Sequence, residues 1–203
     1  YTHEFFAASM STELSNQKKL SEFYEELKRL NINIVAPDIN KCFSDFTSNG
    51  NDFLYALGAI KNVGYDAISN VIKEREENGE FKNLTDFINR INPKDINKLQ
   101  LEGLVKAGAF DNLNNNRQSL FSSIPNIILK SKNNFENNLV NQIDLFTEEL
   151  DDNYLEKIKD WDSDTKLSKE FETLGFFISD HPVNQYKFLF NQYNIVSYDY
   201  FLS

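Results

Sequence analysis

Two short turns of similar make-up, about forty residues apart, constrain this chain more than any other feature of its sequence. Ile60-Lys61-Asn62-Val63-Gly64 leads into a segment whose apolar residues Ala67, Ile68, Val71 and Ile72 share one face of a helix. Leu104-Val105-Lys106-Ala107-Gly108-Ala109-Phe110 closes a second helix carrying Ile96, Leu99 and Leu101. Between them Leu84, Phe87, Ile88 and Ile91 form a further helical stripe, with Thr85 as its expected cap. Such stripes are stable only when packed, so residues 59–111 are expected to be helices joined by short connections.

The flanking segments read as more helix and a small β element. Residues 4–30 are expected to be helical, with Leu20, Phe23, Tyr24, Leu27 and Leu30 on one stripe and Ser15-Asn16 as a cap. Asn31-Ile32-Asn33-Ile34-Val35 reads as a short strand stopped by Ala36-Pro37-Asp38. Residues 43–47 and 52–57 flank Ser48-Asn49-Gly50-Asn51, a hairpin signal because Asn-Gly supplies the positive φ of a tight turn. Phe53, Tyr55 and Leu57 alternate as in a half-buried strand. Further on, a helix is expected over 117–132, kinked or broken at Pro125, and then a polar stretch over 133–138. Residues 147–170 are acidic and expected to be partly flexible. Residues 167–174 read as a helix stopped by Gly175, followed by apolar Phe176-Phe177-Ile178, and His181-Pro182 opens a last helix or turn near 186–190.

Charge narrows the functions open to such a fold. The 203 residues hold 21 Lys+Arg against 31 Asp+Glu, a formal charge of −10, which excludes coating nucleic acid by bulk electrostatics. Residues 1–50 carry −2, 51–111 carry −2 and 112–203 carry −6, so the acidity gathers toward the end. Residues 51–111 hold no basic stripe, and Glu74, Glu76, Glu77 and Glu80 are expected to face solvent and repel phosphate. Any duplex contact there must be local, weak alone and sensitive to salt. Lone Cys42 excludes a disulfide framework or a cysteine-rich zinc site and reads as a packed thiol. The two histidines, His3 and His181, lie too far apart in sequence to suggest a metal centre. No span reads as transmembrane and no export leader is visible, and a cytoplasmic location is expected; the start at Tyr1 without Met and the end at Phe201-Leu202-Ser203 suggest a piece of a longer polypeptide.

Three clusters carry candidate chemistry. A helix entered through a short turn exposes backbone N–H groups that suit a phosphate oxygen and ignore base identity. Gly64 lets a backbone approach closely and Lys61 adds a charge; the same residues would also make an ordinary helix connection with a glycine cap. Gln142-Ile143-Asp144-Leu145-Phe146 sits between a polar and an acidic run, where no core segment is expected. Leu145 and Phe146 would bring roughly 1.5–3 kcal/mol each to a partner's pocket, with Gln142 hydrogen-bonding at its rim. The alternative is an apolar staple on this chain's own helices. Asp151, Asp152, Asp160, Asp162 and Asp164 could hold Mg²⁺, but the spacing lacks any EF-hand pattern, and a solvated acidic linker is expected. Phosphate-loop, Gly-x-Ser-x-Gly and His-Glu-x-x-His patterns are absent, and His181, before Pro182, is expected to cap or pack.

The order of these features resembles a family. Ala36-Pro37-Asp38-Ile39-Asn40, Leu57-Gly58-Ala59-Ile60-Lys61-Asn62-Val63-Gly64 and Phe81-Lys82-Asn83-Leu84-Thr85-Asp86-Phe87 resemble the bacterial C-family replicative DNA polymerases, the DNA polymerase III alpha subunits. Asn97-Lys98, the run Leu101-Glu102-Gly103-Leu104-Val105-Lys106-Ala107-Gly108-Ala109-Phe110-Asp111, and Glu172-Thr173-Leu174-Gly175-Phe176-Phe177-Ile178-Ser179 with His181-Pro182 continue the match. The likeness is weakest over 112–140 and 147–166. Many turns of this kind carry Gly-x-Gly, whereas here Asn62 takes the first position, a residue that tolerates the left-handed backbone. Asp180 stands where the family often has glycine.

The resemblance implies a mainly α fold. Residues 1–35 would be the helical end of the fingers, and 36–111 a tandem helix-hairpin-helix DNA-binding module with a small β-hairpin. Residues 112–203 would be a clamp-binding region with a flexible loop, an acidic linker and C-terminal helices. It implies duplex DNA as a partner, held by its backbone through Lys61, Asn62, Val63, Gly64, Lys106, Ala107 and Gly108. It implies a sliding clamp bound through Gln142, Asp144, Leu145 and Phe146, other replicase subunits as further partners, and no membrane. No catalytic residue, metal or cofactor is expected in this chain; the parent would be a DNA-directed DNA polymerase, a nucleotidyltransferase, with Mg²⁺ on palm aspartates upstream. Two rivals from other classes are a helix-hairpin-helix repair nuclease or glycosylase, for which Lys106 is the tempting catalytic residue, and a purely structural protein–protein module.

Overall fold

The computed structural model describes residues 1–50, 52–139 and 154–196, and within them the chain is mainly helical with one small sheet. It opens on α1 (Thr2–Ser11) and α2 (Gln17–Arg29). Asn16 caps α2 as expected, its side chain accepting the Lys19 backbone N–H, and Leu20, Tyr24 and Leu27 turn inward. Leu30, expected on the same stripe, follows the helix and is exposed where the chain swings away through Asn31 at φ +54°.

The sheet has three short strands in the order β1-β3-β2. β1 (Asn33–Val35) runs parallel to β3 (Asp52–Leu54), and β2 (Thr47–Ser48) runs antiparallel to it. The expected hairpin is present with shorter arms. Outside the arms Phe43 bridges Ala56 in parallel, and Leu57 donates its N–H to the Phe43 carbonyl at 2.7 Å. The alternation of Phe53, Tyr55 and Leu57 does not mark a half-buried strand. β3 is the middle strand, and all five residues from Phe53 to Leu57 are buried, as in a strand covered on both faces.

Three helices then carry the expected stripes: α3 (Tyr65–Asn78), α4 (Leu84–Arg90) and α5 (Lys98–Lys106). Asn83, not Thr85, caps α4, accepting the Asp86 N–H at 2.8 Å, while the Thr85 hydroxyl shares a hydrogen bond with the Tyr154 hydroxyl. In α5 the buried face runs through Leu101, Leu104 and Val105, so Leu99 points outward at 57% exposed and Ile96 precedes the helix. Glu74 does not stand free in solvent but pairs with Arg90 at 3.0 Å, leaving Glu76, Glu77 and Glu80 exposed.

The expected break at Pro125 falls at Ser123, between α6 (Arg117–Ser122) and α7 (Ile124–Leu139). Proline lacks an N–H and fits only the first turn of a helix, so a new helix starts there. α7 then continues through 133–138, where a polar stretch was expected, because Ser131 and Asn134 hydrogen-bond Ile91 and Asn89 of the α4 region. α8 (Ser163–Leu174) begins earlier than the expected residue 167, capped by Asp162, and ends at Gly175. A 3₁₀ turn (Pro182–Tyr186) and α9 (Lys187–Gln192) follow; His181 caps the turn, Nδ1 accepting the Val183 N–H at 3.2 Å.

One hydrophobic core runs from Phe6 in α1 to Phe176 after α8, so the segments distinguished in the sequence share it. Cys42 lies wholly inside it, and burial pushes its thiol up to about 12. No described helix is long and apolar enough to cross a membrane.

Candidate nucleic-acid interface

The first sequence turn is tight and open. Val63 donates its N–H to the Ile60 carbonyl at 3.0 Å, which places Asn62 at φ +68°, the left-handed position that asparagine tolerates. Val63 is buried and anchors the turn, while Lys61, Asn62 and Gly64 are exposed. The turn is held from below at two points. The Lys61 N–H donates to the Thr173 carbonyl of α8 at 3.0 Å, and α5 passes so closely that a Cβ on Gly103 would meet the Lys61 carbonyl at 2.8 Å.

Gly64 is the N-cap of α3 and supplies no side chain to it. The first N–H groups of a helix have no partner within it, so this end offers backbone donors and the positive end of the helix dipole. Lys61 stands beside them with no carboxylate partner among the described residues, unlike Lys73, Arg90, Lys98 and Lys106. Arg75 is also committed, donating to the Ile39 and Cys42 carbonyls at 2.8 and 2.7 Å from a buried position. Two negative groups stand nearby: exposed Asp66 in the first turn of α3, and Asp45, which accepts from the Tyr65 hydroxyl at 2.6 Å.

The second turn differs from the first despite its similar sequence. It ends α5 rather than opening a helix. The Gly108 N–H returns to the Val105 carbonyl and the Ala109 N–H to the Leu104 carbonyl, at 3.1 and 2.9 Å, with Gly108 at φ +80°. This is the paired closure of a helix end by a left-handed glycine. Ala107 and Gly108 are buried, and the Arg117 guanidinium lies over them while gripping Asp111 at 2.8 and 2.7 Å. Lys106 bonds Glu172 at 2.8 Å and lies over the Phe121 ring. The two turns are therefore joined through the end of α8, where Glu172 takes one and Thr173 the other.

The acidic residues have local work to do. Asp162 caps α8, and Asp160 accepts the Gln118 N–H at 3.0 Å and pairs with Lys166. Residues 160–166 are thus not the solvated linker the sequence suggests. Among the described residues no three His, Cys, Asp or Glu side chains gather as a metal would need. Asp151, Asp152 and the motif Gln142, Asp144, Leu145 and Phe146 lie outside the described residues. Sequence reasoning missed Arg117, Glu172 and Gln100. The capping-box spacing Asn97-x-x-Gln100 was a visible signal for the last, and the structure shows both of its hydrogen bonds.

An exposed turn ending in a helix N-terminus, braced by a second helix end, defines a helix-hairpin-helix protein. The helix-hairpin-helix motif family matches residues 31–120. Beyond that motif, the DNA polymerase III subunit alpha of Caulobacter vibrioides is 37% identical over 182 residues, covering 89% of this chain and 16% of the relative. Those of Borreliella burgdorferi and Campylobacter jejuni are 37% and 35% identical, covering 92% and 98% of this chain and 17% of each relative. The chain belongs to the DNA polymerase III alpha subunit family, and it spans about a sixth of the length of these relatives.

Proposed function

We propose that this chain is a non-catalytic part of a replicative DNA polymerase that holds duplex DNA by its backbone and tethers the enzyme to a sliding clamp. The open turn Lys61–Gly64, leading straight into the uncapped N-terminus of α3, carries this reading. Backbone N–H donors and one unpaired ammonium recognise phosphate without reading bases. In this reading Lys61, Asn62 and Gly64 meet the phosphate, Val63 anchors the turn, and Lys106, Ala107 and Gly108 brace it. Residues 1–35 end the fingers, 36–111 form the DNA module and 112–203 the clamp-binding region. Gln142, Asp144, Leu145 and Phe146 dock on the clamp in the cytoplasm, beside other replicase subunits. Tethering turns each release of the primer into rebinding at high local concentration.

Two titrations test it. Duplex affinity of the 203-residue chain falls log-linearly with salt; no binding, or binding indifferent to salt, defeats the DNA role. Binding to the clamp of the same organism collapses when Leu145→Ala and Phe146→Ala are combined. Unchanged affinity in that double variant defeats the tether.

A further inference from the structure

Gln100 belongs to α5, yet its side chain is fixed toward α3. The residue is 9% exposed. Its Oε1 accepts the Asn97 N–H at 2.7 Å, closing the capping box, which settles which end of the carboxamide is which. Nε2 therefore points the other way. It lies 3.0 Å from where a Cβ on Gly64 would stand, at the entrance of the bare N-terminus of α3. Among the described residues Gln100 makes its hydrogen bonds through Oε1 and its backbone N–H, and none is donated by Nε2. The residue is nine-tenths buried, yet Nε2 is not one of the side-chain atoms sealed from solvent without a partner, so its N–H groups stay open to an acceptor from outside.

We infer that Gln100 is a further phosphate-binding residue, its Nε2 joining the first N–H groups of α3 on one backbone oxyanion of the duplex. This rests on the DNA-binding reading above. The site then has donors from the turn and two helices: an exposed charge from Lys61, backbone N–H groups from α3, and a neutral donor from α5. It also bears on Gly64, where an added Cβ would crowd Nε2 and make it give way by a few tenths of an ångström. Gln100 is a positioning and binding group; it moves no proton and breaks no bond.

Charge separates its contribution from that of Lys61. Gln100→Met removes the donor at nearly constant volume. Gln100→Glu keeps an acceptor for the Asn97 N–H, and with it the cap, but turns an anion toward the phosphate. Binding of a fluorescein-labelled duplex to the 203-residue chain is measured across a salt series, with melting temperatures to confirm folding. We expect Gln100→Met to weaken binding about tenfold at every salt concentration with an unchanged slope, and Gln100→Glu to weaken it further. Lys61→Met should instead lower the slope by about one. If Lys61→Met behaves so while both Gln100 variants bind like the parent, the Gln100 assignment is overturned and the DNA-binding reading stands. If Lys61→Met changes neither affinity nor slope, that reading fails and takes the Gln100 assignment with it. Should Gln100→Met melt below the assay temperature, Gln100→Glu decides alone, since its cap is intact.

Discussion

The Arg117 guanidinium occupies the space in which a side chain on Gly108 would begin: a Cβ there would stand 2.2 Å from Nη2. Gly108 also sits at φ +80°, where a side chain costs about 1–2 kcal/mol in backbone strain alone. Gly108→Ala must therefore distort the backbone and dislodge Arg117 from Asp111 and from the Lys106 carbonyl. The expected loss is about 2–4 kcal/mol, read as a lower urea midpoint at unchanged slope. A midpoint within error of the parent would show that Arg117 does not hold this turn.

Cys42 should be chemically silent. It is fully buried, with its thiol pushed up to about 12 by burial, and only a thiolate attacks a disulfide reagent, expelling that reagent's other sulfur as the leaving thiolate. Labelling by a disulfide reagent is expected to follow global unfolding and to become immediate in denaturant. Fast labelling of the native chain would contradict the packing described.

Acid should release the α8 anchors as their carboxyl groups take up protons. The hydrogen bond from Lys106 holds Glu172 below its ordinary value of 4.5. At Asp160 burial pulls upward, but hydrogen bonds from Lys166 and the Gln118 N–H prevail and hold it below 3.8. Both folded values lie below the unfolded ones. Their stabilisation is thus complete above pH 4.5 and drains away as pH falls through each folded value. Glu172 is half-exposed, so Glu172→Gln should cost less than about 1 kcal/mol at neutral pH. The melting-temperature gap between this variant and the parent should close on acidification; a gap that persists unchanged would place the stabilisation elsewhere.

Much of this fold was legible in the sequence because its signals are local. Apolar spacing located α2 to α5, Asn-Gly located the hairpin, and Pro125 located the break between α6 and α7. What escaped was set by contacts between distant residues. Nothing near Phe53 says that its strand is central, since that depends on β1 joining from the other side. Apolar spacing already had Lys61–Gly64 leading into a helix and Lys106–Gly108 closing one, but it could not show that the first stays open while the second is covered. That difference comes from Arg117, Glu172 and Thr173, none of which the turn sequences mention. Asn83 outranked Thr85 as a cap for a local reason, an Asp86 N–H within reach, that spacing alone could have suggested.

Asp66 should act as a brake on duplex binding. It is exposed in the first turn of α3, where it stabilises the helix dipole but repels phosphate. Asp66→Asn is expected to tighten duplex binding about two- to fivefold at low salt, with the gain fading as salt rises. Equal affinity of parent and variant at low salt would place the phosphate away from this helix end.

A ¹H–¹⁵N titration of the chain with duplex DNA tests most directly whether the N-terminus of α3 holds the phosphate. The backbone amides of residues 63–67 are expected to shift, together with the side-chain amide of Gln100, while those of 107–109, closed into the end of α5 beneath Arg117, stay still. Shifts at 107–109 or on another surface, with 63–67 unmoved, would contradict it.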